Sequence, residues 1–275
     1  MYDSVKLRIQ LANGKLDLDI RVEDSCRLKP HEEVVLANVE KLERDIIISG
    51  KLRNPVIIDG TSKVILDGTH RWAVLHRIGL KWIPVCEVDY FNDLIRLERW
   101  IRLYRTSLNI NIELFLERMG ISYEKDRLLE EDDDSFLLIT GKNAYRIYAG
   151  SLLEAYKYLR KIENGLYEAY NIIPSYLSKM TVQDSSTRNI IVVPPKPTKK
   201  EVVNLALSGY LLPPKSTRHI IPARPLGLDI PLRLLRQNED PGSIIEMLIK
   251  HKKPILLHSP VLLDRRYEEV IIYFI

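Results

Sequence analysis

Asp67-Gly68-Thr69-His70-Arg71-Trp72 follows an apolar run, Val64-Ile65-Leu66, and opens a helical stretch that ends at Gly79. A strand that breaks at a glycine into a helix leaves N–H groups without intrahelical partners, and such a helix start binds anions. Gly68 allows close backbone approach, and the N–H groups from Thr69 onward point at the anion. Asp67 can hold Mg²⁺ beside phosphate oxygens, or it can simply cap the helix. His70 and Arg71 can add charge-assisted hydrogen bonds to phosphate, or Arg71 can pair with a surface acid. Upstream stands Lys29-Pro30-His31-Glu32, where a proline suited to the first turn of a helix follows an extended run. Glu32 is then either a carboxylate facing the phosphate cradle or a first-turn acid stabilised by the helix dipole. His31 either orients a base or substrate or is an ordinary surface histidine.

The elements that must position these groups are mixed. Val5 to Leu11 and Leu16 to Val22 alternate around Asn13-Gly14 and predict a hairpin. Val35, Val39, Leu42 and Ile46 recur at helical spacing. Short strands at Pro55 to Ile58 and Val64 to Leu66 flank Asp59-Gly60, the phosphate turn leads into a helix over Thr69 to Ile78, and a strand follows over Ile83 to Val88. Helices are expected over Leu94 to Tyr104, Ile112 to Met119 and Ser151 to Asn164, the last stopped by Gly165. A hairpin is expected over Phe136 to Thr140 and Ala144 to Tyr148, and a strand over Ile190 to Val193. Thr198 with Glu201 reads as a capping box before a helix over Val202 to Ser208. Beyond Arg236, Pro241 to His251 reads as a helix and Ile255 to His258 and Val270 to Phe274 as strands, so this extension should pack, as a structural cover or an oligomer contact. The expected class is α+β, divided into residues 1–90, a nucleotide-binding unit; 91–236, a second α/β region completing the substrate site; and a C-terminal extension, 237–275.

Composition bounds the partners. At 275 residues, with 45% hydrophobic and 28% charged, the chain can bury a proper core. It has no apolar run of membrane-spanning length and no signal-peptide pattern at its start, so a cytoplasmic protein with no membrane partner is expected. Cys26 and Cys86 lack metal or redox spacing and read as buried thiols. Three glutamines among many Ile, Lys, Arg and Glu lean towards a thermophilic source. The net charge of +4 is uneven: eight basic residues against two acids between Pro194 and Arg236 give +6, leaving −2 elsewhere. Such a stretch serves nucleotide phosphates, nucleic acid or a solvated face. Glu130-Glu131-Asp132-Asp133-Asp134 reads as an exposed acidic loop.

The pairing of the two clusters resembles the ParB/sulfiredoxin-like superfamily, with its strand–turn–helix phosphate site. Within it the chain is most similar to the archaeal free L-serine kinases, on the Lys29-Pro30-His31-Glu32 segment, the Asp67 to Trp72 turn, Pro197-Thr198-Lys199-Lys200-Glu201-Val202, and Thr217-Arg218-His219. The resemblance runs from about Leu18 to Leu235. It implies phosphoryl transfer from ATP or ADP, with Mg²⁺, to L-serine, giving O-phospho-L-serine for cysteine synthesis. It also implies that Glu32 is the general base on the serine hydroxyl, a poor nucleophile until its proton is accepted. Trp100 falls where the family has a tryptophan near the amino-acid pocket, although tryptophan on a helix face is more often core. Thr217, Arg218 and His219 suit a clamp for the substrate carboxylate or for nucleotide phosphates, and Lys215 a phosphate contact or an ordinary surface lysine. Thr69 stands where many archaeal relatives carry His and use ADP; its smaller side chain leaves room for a third phosphate, which leans to ATP.

Absent patterns narrow the field further. There is no P-loop and no protein-kinase signature set. Sulfiredoxin chemistry would need a cysteine at Thr69. The alternative is a ParB-like nucleotide-sensing or DNA-binding module, with the +6 segment on phosphates, but no helix-turn-helix reader follows the turn, which argues against nucleic acid.

Overall fold

The computed structural model describes residues 4–126, 136–181, 189–236, 241–263 and 266–275; the acidic run at 130–134 lies outside them. The chain forms two compact units, one from Met1–Arg96, Lys199–Pro214 and His219–Ile275, the other from Leu97–Thr198 and Lys215–Arg218. The expected division after residue 90 stands a few residues before the first crossing, which follows Arg96. The return of the chain to the first unit after Thr198 is a feature that a linear division into 1–90, 91–236 and 237–275 does not contain.

The first unit opens with β1 (Val5–Leu11) and β2 (Gly14–Asp24), paired antiparallel with Leu11 opposite Gly14. Leu16, Leu18, Ile20 and Val22 of β2 are buried, so period-2 patterning sets its inner face. Helix α1 (Leu36–Ser49) buries Val39 and Ile46 and ends at Gly50, whose φ of 65° is the left-handed C-cap that glycine accepts without strain. Strands β3 (Lys51–Leu52), β4 (Val56–Asp59) and β5 (Ile65–Asp67), helix α2 (Thr69–Arg77) and β6 (Trp82–Val88) follow. The sheet order is β1-β2-β6-β4-β5, with β4 parallel to β6 and every other pairing antiparallel. Cys86 on β6 is buried, as expected, and burial pushes its thiol pKa up; Cys26 is exposed in a short 3₁₀ turn, which corrects the expectation of two buried thiols.

In the second unit the expected helix over Leu94 to Tyr104 is replaced by strands β7 (Arg96–Arg99) and β8 (Ile101–Arg105). After α3 (Ile112–Arg118) come β9 (Tyr123–Asp126), β10 (Phe136–Thr140), β11 (Asn143–Ile147), α4 (Leu152–Tyr170), β12 (Ser175–Leu177) and β13 (Asn189–Val193); β8, without β7, joins β9 to β13 in a sheet of order β12-β8-β13-β10-β11-β9. Leu103, Leu137, Ile139, Ile191 and Val193 form its buried face. Helix α4 runs past Gly165, which was expected to stop it. A Cβ there would lie 3.0 Å from Met119 Sδ and 3.1 Å from the Phe115 ring, so this glycine serves close packing against α3.

Helix α5 (Lys199–Leu207) brings the chain back, followed by β14 (Thr217–Ile220), β15 (Ala223–Leu226), β16 (Ile230–Pro231), α6 (Leu232–Leu235) and α7 (Gly242–Lys250). Then come β17 (Pro254–Leu257), β18 (Val261–Leu262), β19 (Arg266–Tyr267) and β20 (Val270–Phe274). The C-terminal extension is packed: α7 lies against β1 and β2, and β20 pairs parallel with β15, setting Arg224 opposite Ile271. No helix among the described residues is long and apolar enough to cross a membrane.

Candidate active site

Gly68 is the hinge of the Asp67 turn. Its φ of 95° is in the left-handed region, and a Cβ there would fall 2.5 Å from the Arg71 guanidinium, so any side chain would meet both backbone strain and a clash. The turn is thereby free to lead directly from Asp67 into α2, where the Trp72 N–H closes on the Gly68 carbonyl at 2.9 Å. Trp72 Nε1 donates to the Ser25 carbonyl at 3.1 Å, which ties the helix to the 3₁₀ turn after β2, and its ring stacks on His76 one turn further along α2.

The Lys29 to Glu32 segment is not a helix start. It runs extended, making single parallel bridges from Lys29 to Val64 and from Glu32 to Leu212, and α1 begins only at Leu36. The Ile65 N–H donates to the Lys29 carbonyl at 2.9 Å, the Leu212 N–H to the His31 carbonyl at 2.9 Å, and the Glu33 N–H to the Leu212 carbonyl at 2.9 Å. Glu32 is therefore held by backbone pairing on both sides of its strand, and its position owes nothing to a helix dipole. The segment is laced to the start of β5, the strand that ends at Asp67.

Around this segment lie three buried rings. His31 Nε2 is 3.7 Å from Glu32 Oε1, the His31 and His219 rings meet edge to face at 5.2 Å, and the Tyr90 hydroxyl is 2.9 Å from His219 Nε2. Burial keeps Tyr90 protonated; with the phenol as donor, His219 carries its proton on Nδ1. Burial also lowers the proton affinity of His31 against the pull of Glu32, and brings that of His219 well below its ordinary value, with His31 adding to the effect and Asp67 opposing it. Both imidazoles are neutral at neutral pH and can make hydrogen bonds without adding charge to the site.

A stability prediction follows from these two histidines. Unfolded histidine takes up its proton near its ordinary pKa of about 6.5, whereas the folded groups take it up only at lower pH. Between those limits the unfolded state binds more protons, so the stabilising contribution is complete above that value and is lost as pH falls through it. Tm should drop between pH 7.5 and 5.5, and His219→Asn should flatten that dependence. A slope unchanged by the substitution would show that His219 does not carry it.

Asp67 and Arg71 are joined. Arg71 Nη2 donates to Asp67 Oδ2 at 3.0 Å and to the Pro55 carbonyl at 3.1 Å, and Arg224 Nη1 lies 2.9 Å from the same carboxylate oxygen. Asp67, Arg71, Arg224, Asn54 and Tyr267 line a cavity of about 140 Å³. His70 Nε2 accepts the Val35 N–H at 3.1 Å, which gives it a structural bond to the residue preceding α1. Arg224 and Tyr90 were not singled out in the sequence. Arg224 sits between Pro222 and Pro225 as one of the eight basic residues of its stretch, and no local pattern marks either residue.

The remaining expected residues lie in the second unit or at its edge. Trp100 stands between β7 and β8, with Lys215 Nζ and Arg218 Cζ each 5.3 Å from its ring. Lys215, with φ of 62°, thus shares a cation–aromatic cluster with Arg218. The Trp100 carbonyl is held by the buried Arg102 Nη1 at 2.8 Å, and the Ser216 carbonyl accepts from Tyr156 at 3.0 Å. Thr217 is buried, and between Arg218 and His219 the chain passes back to the first unit.

The chain is 31% identical over 233 residues to an ATP-dependent L-serine kinase of Staphylothermus marinus, covering 78% of this chain and 90% of the relative. It is 29% identical over 221 residues to the ADP-dependent L-serine kinase SerK of Thermococcus kodakarensis, covering 76% and 90%. A solved free serine kinase in complex with AMP superposes with a TM-score of 0.66 at 26% identity, over 79% of this chain and 93% of that one. No family model matches the sequence. The fold is the α+β, ParB/sulfiredoxin-like one that the resemblance implied.

Proposed function

The chain belongs to the family of ATP- and ADP-dependent L-serine kinases, and we propose that it transfers the terminal phosphoryl group of ATP to the hydroxyl of free L-serine, with Glu32 as the base. The observation that supports this reading is the lacing of the Glu32 strand to the strand that ends in the Asp67 turn, which ties a carboxylate to the strand leading into the α2 helix start. Glu32 accepts the serine proton; the helix start at Thr69 and the Arg71 guanidinium receive phosphate oxygens; His31 and His219 orient the acceptor as neutral hydrogen-bonding groups. Trp100, Thr217 and Arg218 take the amino-acid moiety, and Lys215 a phosphate.

The donor set suits a cation that arrives with the nucleotide. Among the described residues no group of three or more His, Cys, Asp or Glu forms a cage, but Asp67 is a carboxylate at the turn, and Mg²⁺ commonly needs one or two carboxylates beside phosphate oxygens. When bound, Mg²⁺ neutralises phosphate charge; Asp67 would hold it. The product, O-phospho-L-serine, would enter cysteine synthesis, and the reaction belongs in the cytoplasm.

The test is incubation with L-serine, Mg²⁺ and either ATP or ADP, with identification of the product. Phosphoserine from ATP is expected. Faster turnover with ADP at equal saturation would overturn the donor assignment, which rests on the smaller Thr69, and no phosphoserine from either nucleotide would overturn the kinase reading in favour of a sensor. Arg218→Ala should raise the KM for serine by about tenfold, the scale of one charge-assisted bond, with a smaller change in the KM for nucleotide. The opposite order would move Arg218 to the phosphate side.

A further inference from the structure

Arg224 does more than face Asp67. Its Nε lies 2.5 Å from Glu269 Oε1, its Nη2 donates to the His219 carbonyl at 3.3 Å, and the residue is buried. Glu269 immediately precedes β20, the C-terminal strand whose pairing with β15 begins with Val270 opposite Ala223. The result is a chain of alternating charge, Arg71, Asp67, Arg224, Glu269, running from the phosphate turn into the C-terminal extension. Its first three members line the same cavity. A buried guanidinium needs a counter-ion, and this one shares its charge between two carboxylates.

We propose that Glu269 is a positioning residue of the donor-phosphate site: it shares the charge of Arg224 with Asp67, and so weakens the competition that a nucleotide-borne Mg²⁺ meets from the two guanidiniums already paired with Asp67. The proposal rests on the kinase reading and on Asp67 as the metal-holding carboxylate. The four groups sum to zero charge with Glu269 in place. Without its charge the cluster carries +1, and Arg224 has Asp67 as its one remaining carboxylate in this chain of contacts. Two consequences have opposite sign. Metal-free nucleotide, an anion, meets a more positive site and binds more tightly, whereas Mg²⁺ must compete harder for Asp67 and adds less to binding.

The measurable quantity is the ratio of the Kd for ADP in EDTA to the Kd for ADP with saturating Mg²⁺, from calorimetry without serine. Glu269→Gln is isosteric and the side chain is partly exposed, so the variant is expected to fold. It should lower the ratio about fivefold, the size of one unit charge acting a few ångströms away through a partly screened medium, with metal-free ADP binding more tightly than to wild type. Glu269→Asp keeps the charge and should leave the ratio within twofold of wild type.

A Glu269→Gln variant with lower Tm but an unchanged ratio would make Glu269 merely structural and overturn the proposal. A Glu269→Asp variant that moves the ratio as far as Glu269→Gln would show that shape, not charge, is what matters, and would overturn it as well. Should wild type itself bind ADP equally well with and without Mg²⁺, the metal reading of Asp67 would fail and take this inference with it, leaving the serine kinase assignment to be judged by product formation.

Discussion

Glu32→Gln should abolish most of the phosphoserine turnover while leaving nucleotide affinity within about twofold of wild type. The substitution keeps the size of the side chain and, because Glu32 is located by backbone bonds from Leu212 and beside Ile65, it should not move the strand. What disappears is the carboxylate proposed to accept the serine proton. Loss of a general base costs about 10² to 10⁴-fold in kcat, or roughly 3 to 5 kcal/mol. Nucleotide binding, proposed to depend on the Asp67 turn, should persist. The measurement is kcat for phosphoserine formation beside the Kd for nucleotide, in both proteins. A kcat within threefold of wild type would remove Glu32 from catalysis, and a change confined to nucleotide binding would favour a sensor.

The strand–glycine–helix turn at Asp67 was legible in the sequence because every determinant is local. An apolar strand, a glycine that must take a positive φ and a helix that starts on the next residue lie within a dozen positions, and the structure has Gly68 at φ 95° between β5 and α2. The N-terminal hairpin was legible for the same reason, since its alternation fixes which face of β2 is buried. Helix α5 and the strands of the C-terminal extension also follow their local apolar periods.

Where the sequence misled, residues far along the chain decide the conformation. Pro30 fits a helix start or an extended strand equally well, and the choice falls to Leu212, whose backbone pairs with His31 and Glu33. The stretch around Trp100 has apolar residues at Leu97, Ile101, Leu103 and Tyr104, compatible with either helical or strand period. Pairing with β12 and β13 makes β8 a strand, so Trp100 sits at a strand junction and not on a helix face. Gly165 looks like a stop in sequence and is a packing contact in the fold, because the Phe115 ring occupies the space a side chain would need. Arg224 and Glu269 were invisible for the plainest reason: each is an unremarkable charge until β15 and β20 bring them within 2.5 Å.

Asp67→Asn is the second large effect expected, and the charge cluster makes its sign two-sided. In the native turn Asp67 Oδ2 faces both Arg71 and Arg224. Replacing the carboxylate with an amide removes the group proposed to hold Mg²⁺ and leaves the two guanidiniums with a single acid, Glu269, in their chain of contacts. At a fixed, moderate Mg²⁺ concentration kcat/KM for the nucleotide should fall on the order of 10²-fold, about 2.7 kcal/mol. Metal-free ADP should bind at least as tightly as to wild type, because the cluster has gained a net positive charge. A general loss of folding would weaken both, so the opposite movement of the two quantities separates a metal role from a structural one. Asp67 is about a third exposed, 37% by side chain, and the substitution keeps its size, so the fold itself should survive. Activity equal to wild type in saturating Mg²⁺, with metal-free ADP affinity unchanged, would reduce Asp67 to an ion-pair partner of two arginines and transfer the burden of phosphate recognition to the helix start alone.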